Sequence, residues 1–205
     1  FWVDVNGFSS HAARPDLGVD TVLVTTTIIN NLQQIVARTV SPFESAVLSV
    51  THIEVGNTWN VLPAAGFFEG TIRTFEPKVR EDVIARFEKV VQATADQFGA
   101  QVDITWGNSP YVTYNDQTLT PLIFENSKAF AEVIETLPST GGEDFAAYQK
   151  EIPGVFAFVG SNGEENAPDW HHDDFLVKDE ALPVAVNYYV ENAFFLLDYF
   201  KEQEK

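Results

Sequence analysis

The 205-residue sequence contains no cysteine and no methionine, and only 12 of its residues are lysine or arginine. Without cysteine, neither a disulfide nor a thiolate metal ligand can form within these residues. The 12 basic residues are outnumbered by 30 acidic ones, which gives a formal net charge of −18 at pH 7. A surface of that charge repels phosphate backbones and anionic lipids, so we expect no nucleic-acid partner and no membrane partner.

Long apolar runs are also missing. No stretch approaches the roughly 18 residues of a membrane span, and no signal-peptide pattern opens the chain. The absence of cysteine agrees with a reducing compartment, and we expect a cytoplasmic location. Hydrophobic residues still make up 45 % of the sequence and aromatic residues 13 %, enough to bury a core. Because the chain lacks methionine and begins at Phe1 inside a strand-like pattern, we expect it to be a piece of a longer protein.

The first part of the chain follows the order β-α-β-β-α-β. Alternation with a period of two predicts strands, and apolar residues at helical spacing predict helices. The predicted strands cover residues 1–6, 45–55, 66–75 and 101–106, and the predicted helices cover 19–38 and 77–98. This order is typical of a ferredoxin-like sandwich, in which two helices pack on one face of an antiparallel sheet. We assign residues 1–114 to this domain.

The remaining residues, 115–205, have mainly helical patterns. The predicted elements are helices over 121–135, 143–149 and 180–203 and one buried strand over 155–159. So few strands cannot form a complete α/β sheet, so this part is predicted to be half of a larger domain.

His171 and His172 stand next to each other in an acidic loop before the last predicted helix. Adjacent side chains of an extended segment point in opposite directions, so only one of the two can enter a given metal site. An imidazole among carboxylates suits a divalent ion, and a solvated acidic loop explains the same residues equally well. His52 lies within a predicted strand among apolar neighbours, and we interpret it as a surface or core histidine without a catalytic role.

Two glycines and one arginine are candidates for binding an anion or a carbonyl group. Gly141 and Gly142 precede a predicted helix start at Glu143, where free backbone N–H groups bind anions. An ordinary helix start with acidic residues near its positive end explains the same pattern. Arg73 lies on the polar face of a predicted strand, where it can hold a carboxylate with two hydrogen bonds or form a surface ion pair.

Six short motifs follow one another along the whole chain. They are Gly7-Phe8-Ser9-Ser10-His11-Ala12-Ala13-Arg14-Pro15, Asn60-Val61-Leu62-Pro63, Gly70-Thr71-Ile72-Arg73-Thr74-Phe75, Gly142-Glu143-Asp144-Phe145, Pro153-Gly154-Val155-Phe156, and His171-His172 with Phe175 and Asp179-Glu180. In residue identities and in order along the chain, they resemble the motifs of aminoacylase- and carboxypeptidase-type dinuclear metallopeptidases. The wording is most similar to the amidohydrolase branch, which includes hippurate hydrolase, auxin-conjugate hydrolase and N-acetyl-diaminopimelate deacetylase.

The resemblance implies an architecture and a metal ligand. In this family a ferredoxin-like lid, which also dimerises, is inserted into an α/β catalytic domain, so residues 115–205 would be the C-terminal half of that domain. His171 matches the late metal-binding histidine of the family. Asp173 replaces the usual proline, so the choice between His171 and His172 depends on the alignment. The other ligands of the two metal ions and the general base belong to an upstream half that is missing here.

The resemblance also implies roles for residues that contact the substrate. His11 matches the histidine that reaches into the partner subunit's site and polarises the tetrahedral oxyanion. Asn60 and Arg73 match the groups that hold the substrate's carboxylate and amide, and Gly141 and Gly142 would form the backbone wall beside it.

The implied activity is metal-dependent hydrolysis of the amide bond in small N-acyl amino acids. It would use two divalent ions per full-length subunit (zinc, manganese, nickel or cobalt) in a homodimer formed through the lid. We predict that the 205 residues alone are inactive. The alternative is a stand-alone ferredoxin-like dimerisation or binding module without catalysis. An acidic metal-buffering protein is disfavoured because the acidic residues are too dispersed to form an oxygen cage.

Overall fold

The computed structural model describes residues 1–107, 111–164 and 166–203. The chain divides into two compact units. The first comprises Phe1–Val112 and Thr140–Gly142, and the second comprises Thr113–Ser139 and Glu143–Lys205. The sequence places its domain boundary after residue 114, and the roles that it assigns to the two domains stay predictions.

The first unit contains a four-stranded antiparallel sheet and two long helices. Its elements in chain order are β1 (Trp2–Asn6), β2 (Ser10–His11), α1 (Thr21–Thr39), β3 (Ala46–Val55), β4 (Val61–Leu62), β5 (Ala65–Thr74), α2 (Pro77–Phe98) and β6 (Gln101–Thr105). The main sheet has the order β3-β5-β1-β6, with every pair antiparallel, and β2 pairs with β4 in a separate ribbon. This is the arrangement of a ferredoxin-like sandwich, so the predicted fold class is confirmed.

Both helices cover one face of the sheet because apolar side chains alternate along the strands. Val3 and Val5 of β1 and Phe68 of β5 are fully buried, and they pack with the apolar stripes of the two helices. The buried apolar residues of the helices are Val24, Ile28, Leu32, Ile35, Val83, Phe87, Val91 and Ala95. Their spacing of three, four or seven residues is the pattern that predicts both helices from the sequence.

Local signals set the ends of both helices. The Asp20 carboxylate accepts a hydrogen bond from the Leu23 N–H at 3.1 Å and so caps the N-terminus of α1. Pro77 occupies the first turn of α2, where its missing N–H costs nothing. Gly99 ends α2 with a φ of 71°, a left-handed conformation that glycine adopts without steric cost.

The opposite face of the sheet carries polar and aromatic side chains. Trp2 and Phe67 stack there with ring centroids 4.0 Å apart, and the His52 ring meets Phe67 edge-on at 5.1 Å. His52 Nδ1 lies 2.7 Å from Glu69 Oε1. His52 is thus a surface histidine with a carboxylate partner. The neighbours of His52 in sequence do not reveal this partner, because Glu69 stands opposite His52 only in the register of β3 and β5.

Gly70, in the middle of β5, lies where no side chain fits. A Cβ added there would overlap the Ser49 carbonyl oxygen and stand 2.7 Å from the Phe1 ring. We expect Gly70→Ala to lower the free energy of unfolding by about 1–3 kcal/mol, because overpacking forces neighbouring groups apart. Urea denaturation followed by circular dichroism measures this loss. Gly107→Ala is the matched control, since a Cβ there would meet no described atom within 4 Å; equal losses in both variants would contradict the prediction.

The second unit contains three helices, α3 (Leu119–Ser127), α4 (Phe145–Gln149) and α5 (Ala181–Gln203). A buried polar contact joins α3 and α5. The Asn192 side-chain amide donates to Ser127 Oγ at 3.1 Å, and its oxygen accepts from Asn126 Nδ2 at 3.0 Å. Each of these buried groups is thereby satisfied, as a polar group away from water must be.

The first helix of this unit differs in both ends from the predicted helix over 121–135. It begins earlier because the Asp116 carboxylate accepts hydrogen bonds from the N–H groups of Thr118 and Leu119, at 2.9 and 2.8 Å. It ends at Ser127, where successive i→i−3 hydrogen bonds tighten the last turn. Sequence periodicity alone does not reveal either event.

Residues 155–159 form no strand, so the prediction of a buried strand there is wrong. A strand needs a neighbour that pairs its N–H and C=O groups, and the second unit, as far as it is described, has no other strand. The Asn115 side chain takes that role instead. Its Nδ2 donates to the Phe156 carbonyl and its Oδ1 accepts from the Phe156 N–H, both at 2.8 Å.

One side of α5 is apolar and open to solvent. The exposed large apolar residues of this helix are Leu182, Val186, Tyr189, Val190, Phe194, Leu197 and Phe200. Their spacing places them along one face. Exposed apolar patches of this extent are rare in monomeric proteins, so this face indicates that the described residues leave α5 without its full packing partner. None of the described helices is long and apolar enough to cross a membrane.

Candidate substrate-binding site

The backbones of His11 and Asn60 are neighbours because the short strands β2 and β4 pair. His11 stands opposite Val61 in this ribbon, and the Ala12 N–H donates to the Asn60 carbonyl at 3.0 Å. The two residues come from distant parts of the sequence and from different motifs. The structure therefore brings two of the candidate site residues together.

A backbone hydrogen bond orients the exposed His11 ring. The Ala13 N–H donates to His11 Nδ1 at 3.1 Å, and the Arg14 N–H donates to the His11 carbonyl at 2.7 Å. Because Nδ1 accepts a hydrogen bond, the neutral ring carries its proton on Nε2. His11 thus offers an Nε2–H donor to a ligand.

An exposed ion pair closes the turn that follows His11. Arg14 donates from Nε to Asp16 Oδ1 at 3.0 Å and from Nη2 to Asp16 Oδ2 at 2.8 Å. These hydrogen bonds raise the pKa of Arg14 and lower the pKa of Asp16. The sequence motifs do not single out this pair, although the two charges stand two residues apart. Arg14 is thus already paired with a carboxylate, in contrast to the Nε2–H group of His11.

The Asn60 side chain is half-buried and only partly satisfied. The Thr58 hydroxyl donates to Asn60 Oδ1 at 3.2 Å. No described residue accepts a hydrogen bond from the Asn60 side-chain NH₂ group. This amide therefore has donors available for a ligand beside His11.

Arg73 lies in a different part of the first unit. It is the ninth residue of β5, half-buried on the face of the sheet opposite the helices, and stands across from Val47. No described carboxylate pairs with it, so its guanidinium is available to an anion. Ala65, at the other end of β5 and near Asn60 in sequence, is eight residues away, about 26 Å along an extended strand. The structure does not bring Arg73 to His11 and Asn60.

Gly141 and Gly142 precede α4, which begins at Phe145 and not at the predicted Glu143. Both glycines are exposed. The Asp144 carbonyl accepts the first hydrogen bond of the helix, from the Ala147 N–H at 2.9 Å. With five residues, α4 is too short for a strong helix dipole. The role of Gly141 and Gly142 in binding a carbonyl group stays a prediction.

The loop that carries His171 and His172 is closed at its base by Lys178. The Lys178 N–H donates to the Ser161 carbonyl at 2.8 Å, and Lys178 Nζ donates to Glu164 Oε1 at 2.7 Å. The hydrogen bond from the Lys178 ammonium group lowers the pKa of the Glu164 carboxyl group. The two histidines stand between these closing contacts in sequence.

The two histidine rings differ in their hydrogen bonds. His172 Nδ1 accepts from the Asp174 N–H at 3.1 Å, so its neutral ring carries the proton on Nε2. His171 makes no hydrogen bond to any described residue. Its φ of 64° is a left-handed conformation that non-glycine residues rarely adopt, and strained residues of this kind cluster at functional positions. The free imidazole of His171 can therefore present either nitrogen to a ligand.

Among the described residues, no group of three or more histidine, aspartate or glutamate side chains is placed to hold a metal ion. A catalytic zinc ion takes about three protein ligands. The described residues therefore do not form a metal site by themselves, and His171 fits only as one ligand of a larger set.

Comparison with known proteins places these motifs in a family. The profile of Peptidase family M20/M25/M40 matches residues 8–193. N-acetyl-L-cysteine deacetylase from Bacillus subtilis (strain 168) is 40 % identical, over 97 % of this chain and 47 % of its own length. N-acetyldiaminopimelate deacetylase from Exiguobacterium sibiricum is 32 % identical, over 98 % of this chain and 52 % of its own length.

A solved structure agrees with the sequence comparison. The Bacillus subtilis YXEP protein, described as a dinuclear metal binding peptidase from the M20 family, matches with a TM-score of 0.69 at 33 % identity. The match covers 96 % of this chain and 50 % of that one. The chain spans about half the length of the curated relatives it matches. By its profile match over most of its residues and by its motifs in their order, the chain belongs to peptidase family M20/M25/M40.

Proposed function

We propose that this chain forms the substrate-binding lid and the C-terminal part of an amidohydrolase about twice its length, which removes the acyl group from small N-acyl amino acids. The relatives named as deacetylases support this reaction class. The observation that carries the proposal is the pairing of β2 with β4, which makes the backbones of His11 and Asn60 neighbours, each with a side-chain N–H donor that no described residue uses. The cytoplasmic location expected from the sequence remains a prediction.

The described side chains have the chemistry that such a reaction requires. Hydrolysis of an amide builds negative charge on the carbonyl oxygen, and a fixed N–H donor aimed at that oxygen stabilises it. The Nε2–H group of His11 is such a donor. The Asn60 amide and the unpaired Arg73 guanidinium are suited to the carboxylate and amide of the substrate.

The separation within the first unit supports a site shared by two copies of the chain. Arg73 lies about 26 Å along β5 from Ala65, the strand end nearest to Asn60 in sequence. A substrate the size of an extended dipeptide spans only about 7 Å. This separation favours an arrangement in which Arg73 and the pair of His11 and Asn60 do not come from the same lid. We propose a homodimer in which Arg73 comes from one subunit and His11 and Asn60 from its partner.

Edge strands of the main sheet offer a route to such a dimer. β3 is ten residues long and lies at one edge of the sheet, and it contains neither lysine nor proline. Its register shifts between Val50 and His52, and the unpaired N–H and C=O groups along the rest of this edge can pair with another strand. A second copy of the same strand would cover it.

We propose that His171 contributes one ligand to a site for divalent metal ions, whose remaining ligands lie outside these residues. The free ring of His171 supports this assignment over His172, whose Nδ1 is already occupied. Bound metal ions of this class supply Lewis acidity and an activated water molecule. Which metal is used among zinc, manganese, nickel and cobalt is open to measurement on the complete protein.

We expect the isolated 205 residues to release no amino acid from N-acyl substrates. The physical reason is the absence of a three-ligand metal site among the described residues. The measurement is mass spectrometry of products after incubation with manganese, zinc, nickel or cobalt. N-acetyl-L-cysteine leads the substrate panel because of the relative named for it, followed by N-acetyl-diaminopimelate and hippurate.

The protein encoded by the complete open reading frame is the positive control for this experiment. Its hydrolysis of at least one substrate in the panel is the expected result. A complete protein that forms dimers and hydrolyses none of them would instead support a dimerisation module without catalysis. Release of product by the 205 residues alone would overturn the prediction that they are inactive.

A further inference from the structure

Trp59 is the most exposed tryptophan of the described chain, with 91 % of its surface open to solvent. Its ring makes no aromatic contact and no hydrogen bond with any described residue. Tryptophan carries a large apolar surface, and an isolated exposed indole gains considerably from contact with another apolar group. The sequence motifs do not single it out, although it is an aromatic residue in an otherwise polar turn, Gly56-Asn57-Thr58, directly before Asn60.

The backbone around Trp59 is held on both sides. Before it, Gly56 turns the chain with a φ of 76°. After it, the Asn60 carbonyl accepts from the Ala12 N–H at 3.0 Å, and Val61 pairs with His11. Trp59 therefore stands at a defined place directly beside the predicted substrate-binding residues, rather than at the end of an untethered loop.

The segments that flank Trp59 also line a cleft of about 490 Å³. Its apolar walls come from Val22, Val55, Val61, Leu62 and Pro63, and Val22 and Val61 are themselves exposed. This cleft is wide open to solvent, so it offers an apolar surface beside the loop rather than an enclosed cavity. The loop with Trp59 thus joins an apolar surface to the polar donors of His11 and Asn60.

We infer that Trp59 determines substrate specificity by packing its indole ring against the amino-acid side chain of the substrate. This inference rests on the proposed function, since it takes Asn60 to hold the carboxylate or amide of an N-acyl amino acid. The side chain is bonded to the carbon that joins those two groups, which brings it within reach of the residues beside Asn60, Trp59 among them. The site then favours N-acyl derivatives of apolar amino acids over N-acylglycine.

The test compares Trp59→Ala with Trp59→Phe in the protein encoded by the complete open reading frame. For N-acetyl-leucine and N-acetyl-phenylalanine, Trp59→Ala is expected to raise KM about tenfold while kcat changes little, because an apolar contact of this kind discriminates by roughly that factor. For N-acetylglycine, KM should stay within about twofold, since no side chain meets the ring. Trp59→Phe keeps an aromatic ring and should recover most of the lost affinity.

Several results would overturn the inference. An equal increase in KM for N-acetylglycine, N-acetyl-leucine and N-acetyl-phenylalanine would assign Trp59 a structural role. An increase in KM that depends on the acyl group, found by comparing acetylglycine with benzoylglycine, would place the Trp59 ring at the acyl end of the substrate. Conversion of Trp59→Ala dimers to monomers in size-exclusion chromatography would assign the ring to the subunit interface.

Binding without turnover separates this inference from the proposed function. A wild-type protein that cleaves no N-acetyl amino acid overturns the proposed hydrolysis. Titration with N-acetyl-leucine, followed by tryptophan fluorescence, then tests Trp59 directly. A fluorescence change in the wild type that is lost in Trp59→Phe supports the contact, and an unaltered change in Trp59→Phe contradicts it.

Discussion

A heterodimer of His11→Ala and Arg73→Ala subunits is expected to keep about half of the wild-type activity, although each variant homodimer loses at least about 100-fold in kcat/KM. If Arg73 acts in its own subunit and His11 in the neighbouring one, the heterodimer contains one site with both residues and one site with neither. The separation of about 26 Å along β5 is the structural basis of this expectation. Coexpression of the complete protein with two affinity tags isolates the heterodimer, and an N-acyl amino acid assay measures its activity.

The matched control is a heterodimer of His11→Ala and Asn60→Ala subunits. These two residues lie on the paired strands β2 and β4 or directly beside them, within the same unit. Every site in that heterodimer therefore lacks one of them, and no activity should return. Recovery of activity in this control heterodimer would contradict the shared-site proposal. So would a lack of activity in the heterodimer of His11→Ala and Arg73→Ala subunits.

His171→Ala in the complete protein is expected to remove bound metal and to lower kcat/KM by at least about 100-fold, because losing a ligand costs more than the 10- to 100-fold typical of a residue behind a ligand. The free ring and the left-handed backbone of His171 are the observations behind this choice. Metal content after dialysis, measured by inductively coupled plasma mass spectrometry, provides a readout that does not depend on turnover.

His172→Ala is the control because His172 is adjacent to His171 in sequence and both residues are exposed to solvent. Its Nδ1 is engaged with the Asp174 N–H, so we expect normal metal content and an activity within a fewfold of wild type. The opposite outcome, with metal lost in His172→Ala and retained in His171→Ala, would reverse the assignment of the ligand.

The fold of the first unit could be predicted because its local and tertiary preferences agree. Val3 and Val5 alternate with polar neighbours, and the caps at Asp20 and Gly99 coincide with the ends of apolar stripes. The second unit was predicted less well. The apolar run at 155–159 is typical of a buried strand, yet a strand forms only where a neighbour exists, and Asn115 supplies a substitute within this chain.

The sequence motifs name the candidate site residues, but they do not give the geometry in which those residues are arranged. The motifs mark His11, Asn60 and Arg73 without indicating which of them are near one another. The pairing of β2 with β4 unites the first two, and the length of β5 separates the third. The preference for His171 over His172 likewise depends on a backbone angle and a hydrogen bond that periodicity does not encode.

The ferredoxin-like order of elements, the family motifs and the candidate residues follow from the amino-acid sequence. Hydrophobic spacing, helix caps and the residues of a motif are local properties of a chain. Only the tertiary contacts show which ring nitrogen of His11 accepts a backbone hydrogen bond, that β2 pairs with β4, and that Arg73 lies toward the far end of β5. These depend on contacts between residues distant in sequence, which form only when the strands pair. The tertiary structure also decided that one face of α5 stays apolar and exposed, since burial is a property of neighbours and not of the helix.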